Sequence, residues 1–306
     1  MANEFYLWEG IGKDHVLLRN AYSKDNYRVI DTPSQTGRCL ICFTGNGLFY
    51  PNTLGTFKKV IIERDRFEWA NLVRDDKIQE YYQRIVLVRD IYKQWYVTGI
   101  NNTYNTTDKL VNKLNELIIV QGKRMNITTV GNSAGGYAAV LYGILLGADR
   151  IFNFSGQYDL NDEIYRGAKL VAPFLELYRK DAGKYYDLKP YLKESKETTK
   201  VFYFFPYRCD WDKREFESVA GISCIKPFFF KSRNHGTTVW GGQEIDILIS
   251  KEEKLLRLTN DSSHLYSQFS FARKFHTFGW CVKRELKYIR KIIKSSLTAI
   301  IKRLIS

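Results

Sequence analysis

Ser133 stands in Gly131-Asn132-Ser133-Ala134-Gly135, a G-x-S-x-G pattern, between a β-rich apolar run (Ile127 to Val130) and a helix-forming run (Tyr137 to Leu146). A serine at a sharp strand-to-helix turn has its hydroxyl lifted out of the sheet. Small residues two before and two after it keep that turn free of clashes. Such a hydroxyl can attack a carbonyl carbon, provided that a base takes its proton and a third group orients the base.

Four histidines could be that base: His15, His235, His264 and His276. His235 is preferred, because it follows the strand-like run Ile225 to Phe230 by a short loop, and active-site residues of open α/β sheets gather beyond the C-terminal ends of strands. His15 precedes the core, whereas His264 and His276 lie near a basic tail. The orienting acid should follow the preceding strand, where KVFYFF-Pro206-Tyr-Arg-Cys-Asp210-Trp-Asp212 offers two carboxylates. Asp212 is preferred and Asp210 is the alternative. A tetrahedral oxyanion needs preorganised donors. The backbone N–H of Ala134 should be one. Thr44-Gly45-Asn46-Gly47, after another strand-like run (Arg38 to Phe43), should supply the other, from Asn46 or else from Gly45 or Gly47. Ser133 could instead be a plain helix cap.

An aromatic-rich segment, Arg89 to Tyr96, follows the apolar run Ile85 to Val88. Trp95 and Tyr96 could stack on the C–H faces of a sugar, as aromatic rings do in ligand sites, or could pack beneath the loop.

These residues need a scaffold. Arg38 to Phe43, Val60 to Glu63, Ile85 to Val88, Ile127 to Val130, Ile151 to Phe154, Lys200 to Phe205 and Ile225 to Phe230 read as strands. The stretch from Glu4 to Ile30 reads as edge hairpin strands. Helices are expected over Thr107 to Gln121 (capped at Thr107 or Asp108), Tyr137 to Leu146, from Trp211, and over Gln243 to Leu258. Alternating strands and helices give an α/β fold with a mostly parallel sheet covered on both faces. Residues 1–260 form the expected catalytic domain, within which 160–197, lacking a strand, could cap the site. Residues 261–306 form the expected C-terminal basic tail.

Composition narrows the class. The 306 residues are 44% hydrophobic and 15% aromatic, enough for one large core. No Gly-Lys-Ser/Thr follows a glycine cluster, against a phosphate loop. The five cysteines are scattered. Cys39-x-x-Cys42 lies inside an apolar run with no second pair at zinc spacing, so both read as buried thiols and no metal site is expected. No N-terminal secretion signal and no run of about 18 apolar residues is seen, which predicts a cytoplasmic protein.

The net charge of +14 is uneven: from Phe271 onward there are ten Lys or Arg and one Glu. Between residues 281 and 306, apolar residues from Val282 to Ile305 recur at 3–4 spacing, with Lys283, Arg284, Lys287, Arg290 and further cations on the remaining face. A basic amphipathic helix of this kind suits an anionic membrane surface. Docking on the protein's own core is the alternative; nucleic acid is not expected, since no recognised nucleic-acid fold accompanies the helix.

FTGNG, Trp95-Tyr96, VGNSAGGYAAVLYG, FNFSGQYDL, the strand before Asp210-Trp-Asp212, and NHG together resemble the α/β-hydrolase-like proteins of bacterial capsule and surface-polysaccharide loci, which include serine polysaccharide O-acetyltransferases. The order Ser, Asp, His agrees with that fold. The resemblance spans about residues 36 to 240. It implies a peripheral inner-membrane enzyme without bound cofactor, moving an acetyl group from acetyl-CoA to a sugar hydroxyl through acetyl-Ser133, with His235 as base and Asp212 or Asp210 as its orienter. An esterase or glycan deacetylase with the same triad, or a non-catalytic membrane-tethered partner of polysaccharide assembly, are the alternatives. The basic tail has no counterpart in that resemblance.

Overall fold

A computed structural model of the chain describes residues 15–161, 175, 179–287 and 289–290. Seven strands form its central sheet: β1 (Tyr27–Asp31), β2 (Arg38–Phe43), β3 (Arg84–Val88), β6 (Asn126–Asn132), β7 (Arg150–Phe154), β8 (Lys200–Pro206) and β9 (Ile225–Phe230). Between β3 and β6, β4 (Ile119–Val120) and β5 (Lys123–Arg124) make a separate two-stranded ribbon. The sheet order is β1-β3-β2-β6-β7-β8-β9. Only β1 runs antiparallel, against β3; every other pairing is parallel. This is an α/β-hydrolase-like sheet.

Its central strands are buried on both faces, so alternate residues feed two cores. Ile41, Val86, Ile127, Ile151, Val201 and Phe229 pack with Leu110 and Leu114 of the helix Thr107–Leu117 and with the helix Ala134–Leu145. Leu40, Ile85, Val130, Phe152, Phe204 and Phe228 pack on the other face with Trp69, Ile78, Ile247 and Leu255. On that second face, Phe154, Phe204 and Phe228 form a cross-strand stack with centroids 4.7 and 4.3 Å apart. Offset or edge-on ring pairs contribute about 0.5–1.5 kcal/mol beyond their buried area. Cys39 and Cys42 are buried free thiols in β2, as expected from their apolar run.

Four sequence expectations change. Val60 to Glu63 is not a strand: Lys58–Glu63 is a π-helical turn continuing the helix Leu54–Phe57. Phe57, Val60 and Ile61 recur at helical spacing and bury together against Leu18, Phe49 and Ile91. Of the expected edge hairpin, residues 1–14 lie outside the described residues, Val16–Tyr22 is a helix capped by His15, and only β1 is a strand. The helix expected to reach Gln121 stops at Leu117, because Gln121 and Gly122 (φ 50° and 73°) turn the β4–β5 ribbon; its cap is Thr106, one residue earlier than expected. Gln243 to Leu258 is two helices, Gln243–Leu248 and Glu252–Leu258.

Residues on the two sides of the boundary expected at residue 260 are in contact. Tyr266 forms a parallel bridge with Phe230, and the fully buried Phe271 packs against Phe204, Phe228 and Phe230. Of the possible cap, 162–174 and 176–178 lie outside the described residues. Among the described residues of this stretch, Leu160, Tyr186, Leu188 and Leu192 pack into the core with residues of the helix Ala134–Leu145. Residues 278–287 are helical, with Cys281 buried beside Trp240 and Ala272. The remainder of the expected amphipathic helix, 291–306, lies outside the described residues. Among the described residues no helix is long and apolar enough to cross a membrane.

Candidate active site

Parallel pairing brings the C-terminal ends of β2, β6, β8 and β9 to one edge of the sheet, where Phe43 pairs with Gly131, Asn132 with Phe154, and Pro206 with Phe230. Each strand then empties into a loop or helix that carries one part of the site.

Ser133 follows β6 directly, with φ 53° and ψ −122°, and its N–H donates to Phe154 O at 2.9 Å. Non-glycine residues hold positive φ only where surrounding contacts force it. Those contacts are visible here. A Cβ at Gly131 would lie 1.9 Å from Gly135 O, and one at Gly135 would lie 2.3 Å from Phe43 O. Both glycines are therefore demanded by close backbone approach. Although Ser133 sits at the cap position, its side chain makes no capping bond. Its Oγ instead lies 3.0 Å from Nε2 of His235.

His235 stands on the loop after β9. Its Nδ1 lies 2.9 and 3.1 Å from the two carboxylate oxygens of Asp212, a buried residue in the first turn of the helix Asp210–Val219. Asp210 opens the same helix but is exposed, so the structure brings Asp212, and not Asp210, to the imidazole. A carboxylate only accepts, so Nδ1 carries its hydrogen toward Asp212 and Nε2 is left to accept from the serine O–H. The other three histidines lie elsewhere: His15 caps a helix, His276 pairs with Asp246 at 3.0 Å, and His264 packs edge-on to Tyr266.

Ala134 is the first residue of its helix, so its N–H has no intrahelical partner and points where helix N-termini favour negative charge. Asn46 opens the short 3-10 turn Asn46–Leu48 and lines the same cavity of about 420 Å³ as Ser133 and His235. The N–H of Gly45 is already committed, donating to Glu68 Oε2 at 2.6 Å, which removes Gly45 from the possible donors.

Trp95 and Tyr96 are not at the cavity. Both rings are fully buried: Trp95 Nε1 donates to Gln157 Oε1 at 2.8 Å, and Tyr96 Oη donates to Thr44 O at 2.7 Å. The cause is the buried Asp90, whose carboxylate accepts from the N–H groups of Tyr92, Gln94 and Tyr96 at 2.9, 2.6 and 3.0 Å. It winds the loop into a knot in which Lys93, Trp95 and Tyr96 all have positive φ. Burial pushes the Asp90 carboxyl up to about 6, against the pull of those N–H groups. The two aromatics buttress the strand end from below and have no surface to offer a sugar.

Four other residues complete the cavity and carry no motif. Trp211 stacks on the His235 ring (centroids 4.5 Å, 24°). Tyr50, 59% exposed, stands on the cavity wall. Glu68 joins the Gly45 loop to the strand that ends at Asn132, since its carboxylate also accepts from the side chain of Asn132; burial pushes its carboxyl above the usual range. Lys93 is buried, donating from Nζ to Phe49 O at 2.8 Å and to Asn52 Oδ1, above the Phe49 ring. Burial pushes its ammonium down from 10.5 to about 7. None of them carries a signal of its own in the sequence: Trp211 stands beside Asp212 in the chain, and Tyr50, Glu68 and Lys93 come in from segments remote from Ser133. Among the described residues no three His, Cys, Asp or Glu side chains are grouped to hold a metal.

No family model and no curated protein matches this chain. Solved structures do. FphF, a fluorophosphonate-binding serine hydrolase of Staphylococcus aureus, is 10% identical, with 74% of this chain and 92% of that one covered and a TM-score of 0.49. MenH from S. aureus is 14% identical over 76% of this chain and 98% of its own, with a TM-score of 0.47. The capsule O-acetyltransferase of Neisseria meningitidis serogroup A is 14% identical over 69% of this chain and 85% of its own, with a TM-score of 0.46. Similarity at this level carries no function from those proteins to this chain.

Proposed function

We propose that this chain is a serine acyltransferase, moving an acetyl group from acetyl-CoA to a hydroxyl of a capsular or surface polysaccharide. The observation that carries the catalytic part is the continuous hydrogen-bonded run from Ser133 Oγ through His235 to the buried Asp212. The donor and acceptor follow from the sequence resemblance described above, and the exposed Tyr50 beside the cavity supplies an aromatic face suited to a sugar.

In the first half-reaction Ser133 Oγ attacks the thioester carbonyl while His235 Nε2 takes the serine proton. Asp212 stabilises the imidazolium and keeps its tautomer. In this reading the N–H groups of Ala134 and Asn46 donate to the oxyanion, a contribution worth about 3–4 kcal/mol of barrier for one such donor. Collapse breaks the C–S bond, and the imidazolium returns the proton to the leaving thiolate, leaving acetyl-Ser133 and free thiol. In the second half a sugar hydroxyl gives its proton to His235 and attacks the ester. Expulsion of Ser133 Oγ, reprotonated by His235, leaves the O-acetyl sugar.

The basic C-terminal segment is read as a contact for an anionic membrane surface on the cytoplasmic side. Leu286 and Ile289, 50% and 43% exposed, leave part of its apolar stripe uncovered next to Lys287 and Arg290. Partition into phosphatidylglycerol vesicles that a chain stopped after Arg290 shares fully with the intact protein would refute a role for the last residues.

Intact mass after mixing with acetyl-CoA tests the catalytic reading. A gain of one acetyl group, absent in Ser133→Ala, is expected; no gain, or a gain that survives the substitution, refutes it. Thiol release that is equal with and without polysaccharide would assign the same triad to hydrolysis instead. Full glycan acetylation by Ser133→Ala would leave only a tethering role.

A further inference from the structure

The active-site cavity continues past the imidazole. Gly236 and Thr237, the two residues after His235, line both that cavity and a second one of about 590 Å³. A Cβ added at Gly236 would meet only Asn132 Oδ1, at 3.8 Å, so the space at this junction is open. The second cavity is walled by Val239, Trp240 and Gln268, and by Arg284 and Lys287. Its size falls within the range of small-molecule pockets, roughly 300–1,000 Å³.

Arg284 and Lys287 are three residues apart on the helical segment 278–287 and so share a face. That segment is docked, with Cys281 buried beside Trp240. Arg284 is held by its Nη2, which donates to Gly241 O, and by the Trp280 ring 6.0 Å away. A guanidinium has five N–H donors, so this anchor leaves others for a ligand. The Glu244 carboxyl feels the Arg284 charge, but accepts from Gly242 N–H at 2.6 Å and forms no ion pair with it. One cation is thus held and a second, exposed one stands one helical turn away, both lining a cavity that shares Gly236 and Thr237 with that of Ser133.

The acetyl group and a sugar hydroxyl are both neutral, so neither calls for these charges. The leaving thiol's carrier does, if it bears phosphate, since arginine and lysine bind phosphate oxygens through charge-assisted bonds. We infer that this second cavity is the donor arm of the site: it takes a phosphorylated thiol carrier, phosphates on Arg284 and Lys287, with the thioester passing Gly236 and Thr237 to reach Ser133. This rests on the acyl-transfer reading above, but its test does not depend on turnover.

Binding of coenzyme A to the full-length Ser133→Ala protein is measured by titration calorimetry, with pantetheine as the phosphate-free probe. Arg284→Ala with Lys287→Ala should weaken coenzyme A at least tenfold and leave pantetheine unchanged. With Ser133 intact, the pair should raise KM for acetyl-CoA at least tenfold at unchanged kcat, with the thermal midpoint preserved. Absence of coenzyme A binding, or equal affinity with and without the two cations, overturns the inference. So does a pair that loses only phosphatidylglycerol vesicles, or only an acidic glycan acceptor, while coenzyme A still binds as before. Coenzyme A binding that depends on the pair, in a protein that never becomes acetylated, upholds the arm and sinks the transfer reading.

Discussion

Glu68 and Gly45, 23 residues apart, are joined by a 2.6 Å hydrogen bond from the Gly45 N–H to the Glu68 carboxylate. Through it, the loop carrying Asn46 is fixed relative to Asn132, the residue before Ser133. Glu68→Ala orphans that N–H, at a cost of about 1–3 kcal/mol of stability. It should also lower kcat more than it raises KM, because in the proposed mechanism the loop acts on the tetrahedral intermediate. Glu68→Gln, which still offers an acceptor, should recover most of both. Urea unfolding beside steady-state kinetics checks this; a Glu68→Ala protein of unchanged kcat would show that the loop holds itself.

The triad predicts unequal effects for two neighbouring carboxylates. Asp212→Asn should cut kcat by about 10⁴, since an amide favours the wrong imidazole tautomer. Asp210→Asn, altering an exposed residue that does not reach His235, should stay within about twofold, as surface changes away from special features do. Rates of acetyl-enzyme formation separate the two, and equal losses would contradict the arrangement.

Tyr50 and Trp95 should also part company. Tyr50→Ala should raise the acceptor KM about tenfold, the loss expected from one stacking face, and leave acetyl-enzyme formation and stability near wild type. Trp95→Ala removes a fully buried ring and should cost about 3–5 kcal/mol of folding stability. Chemical denaturation and acceptor titration distinguish these outcomes.

Lys93 makes stability depend on pH in a known direction. Its folded-state ammonium titrates near 7 and its unfolded one near 10.5, so between those values the unfolded chain binds the extra proton. Its contribution to stability therefore rises with pH from about 7 to 10.5 and is flat outside that window. The stability difference between wild type and Lys93→Met should shift in favour of wild type across that range. A difference that does not change between pH 6.5 and 10 would mean that Lys93 is not desolvated.

What could be read from the sequence was what local pattern decides. The strands of the core, the elbow serine and the histidine after β9 all carry short-range signals, a run of apolar residues or a glycine pair. Val60 to Glu63 misled because four residues of mixed apolar character fit either period, and only burial against Leu18 and Phe49 chose the helical one. Trp95 and Tyr96 misled for a related reason. An aromatic pair after a strand looks like a ligand platform until the Asp90 carboxylate, gathering three N–H groups, turns it inward. Asp210 and Asp212 differ by about 200° around a helix, a distinction that composition cannot make and the first helical turn settles. Glu68 and Lys93 were silent, because neither residue type nor spacing foretells a contact made by a folded loop.

The bridge from Tyr266 to Phe230 has a practical bearing on how this chain can be divided. Lys231 N–H donates to Tyr266 O, and Tyr266 N–H to Phe229 O, both at 2.8 Å, so the outer margin of β9 is sealed by residues beyond 260. A fragment ending there would bare a row of main-chain donors and acceptors beside phenylalanine rings, the kind of border on which chains stick to one another. Shortened versions meant for crystals or assays should keep everything through Cys281, and insoluble products from earlier stops would report a torn sheet margin, not a missing membrane anchor.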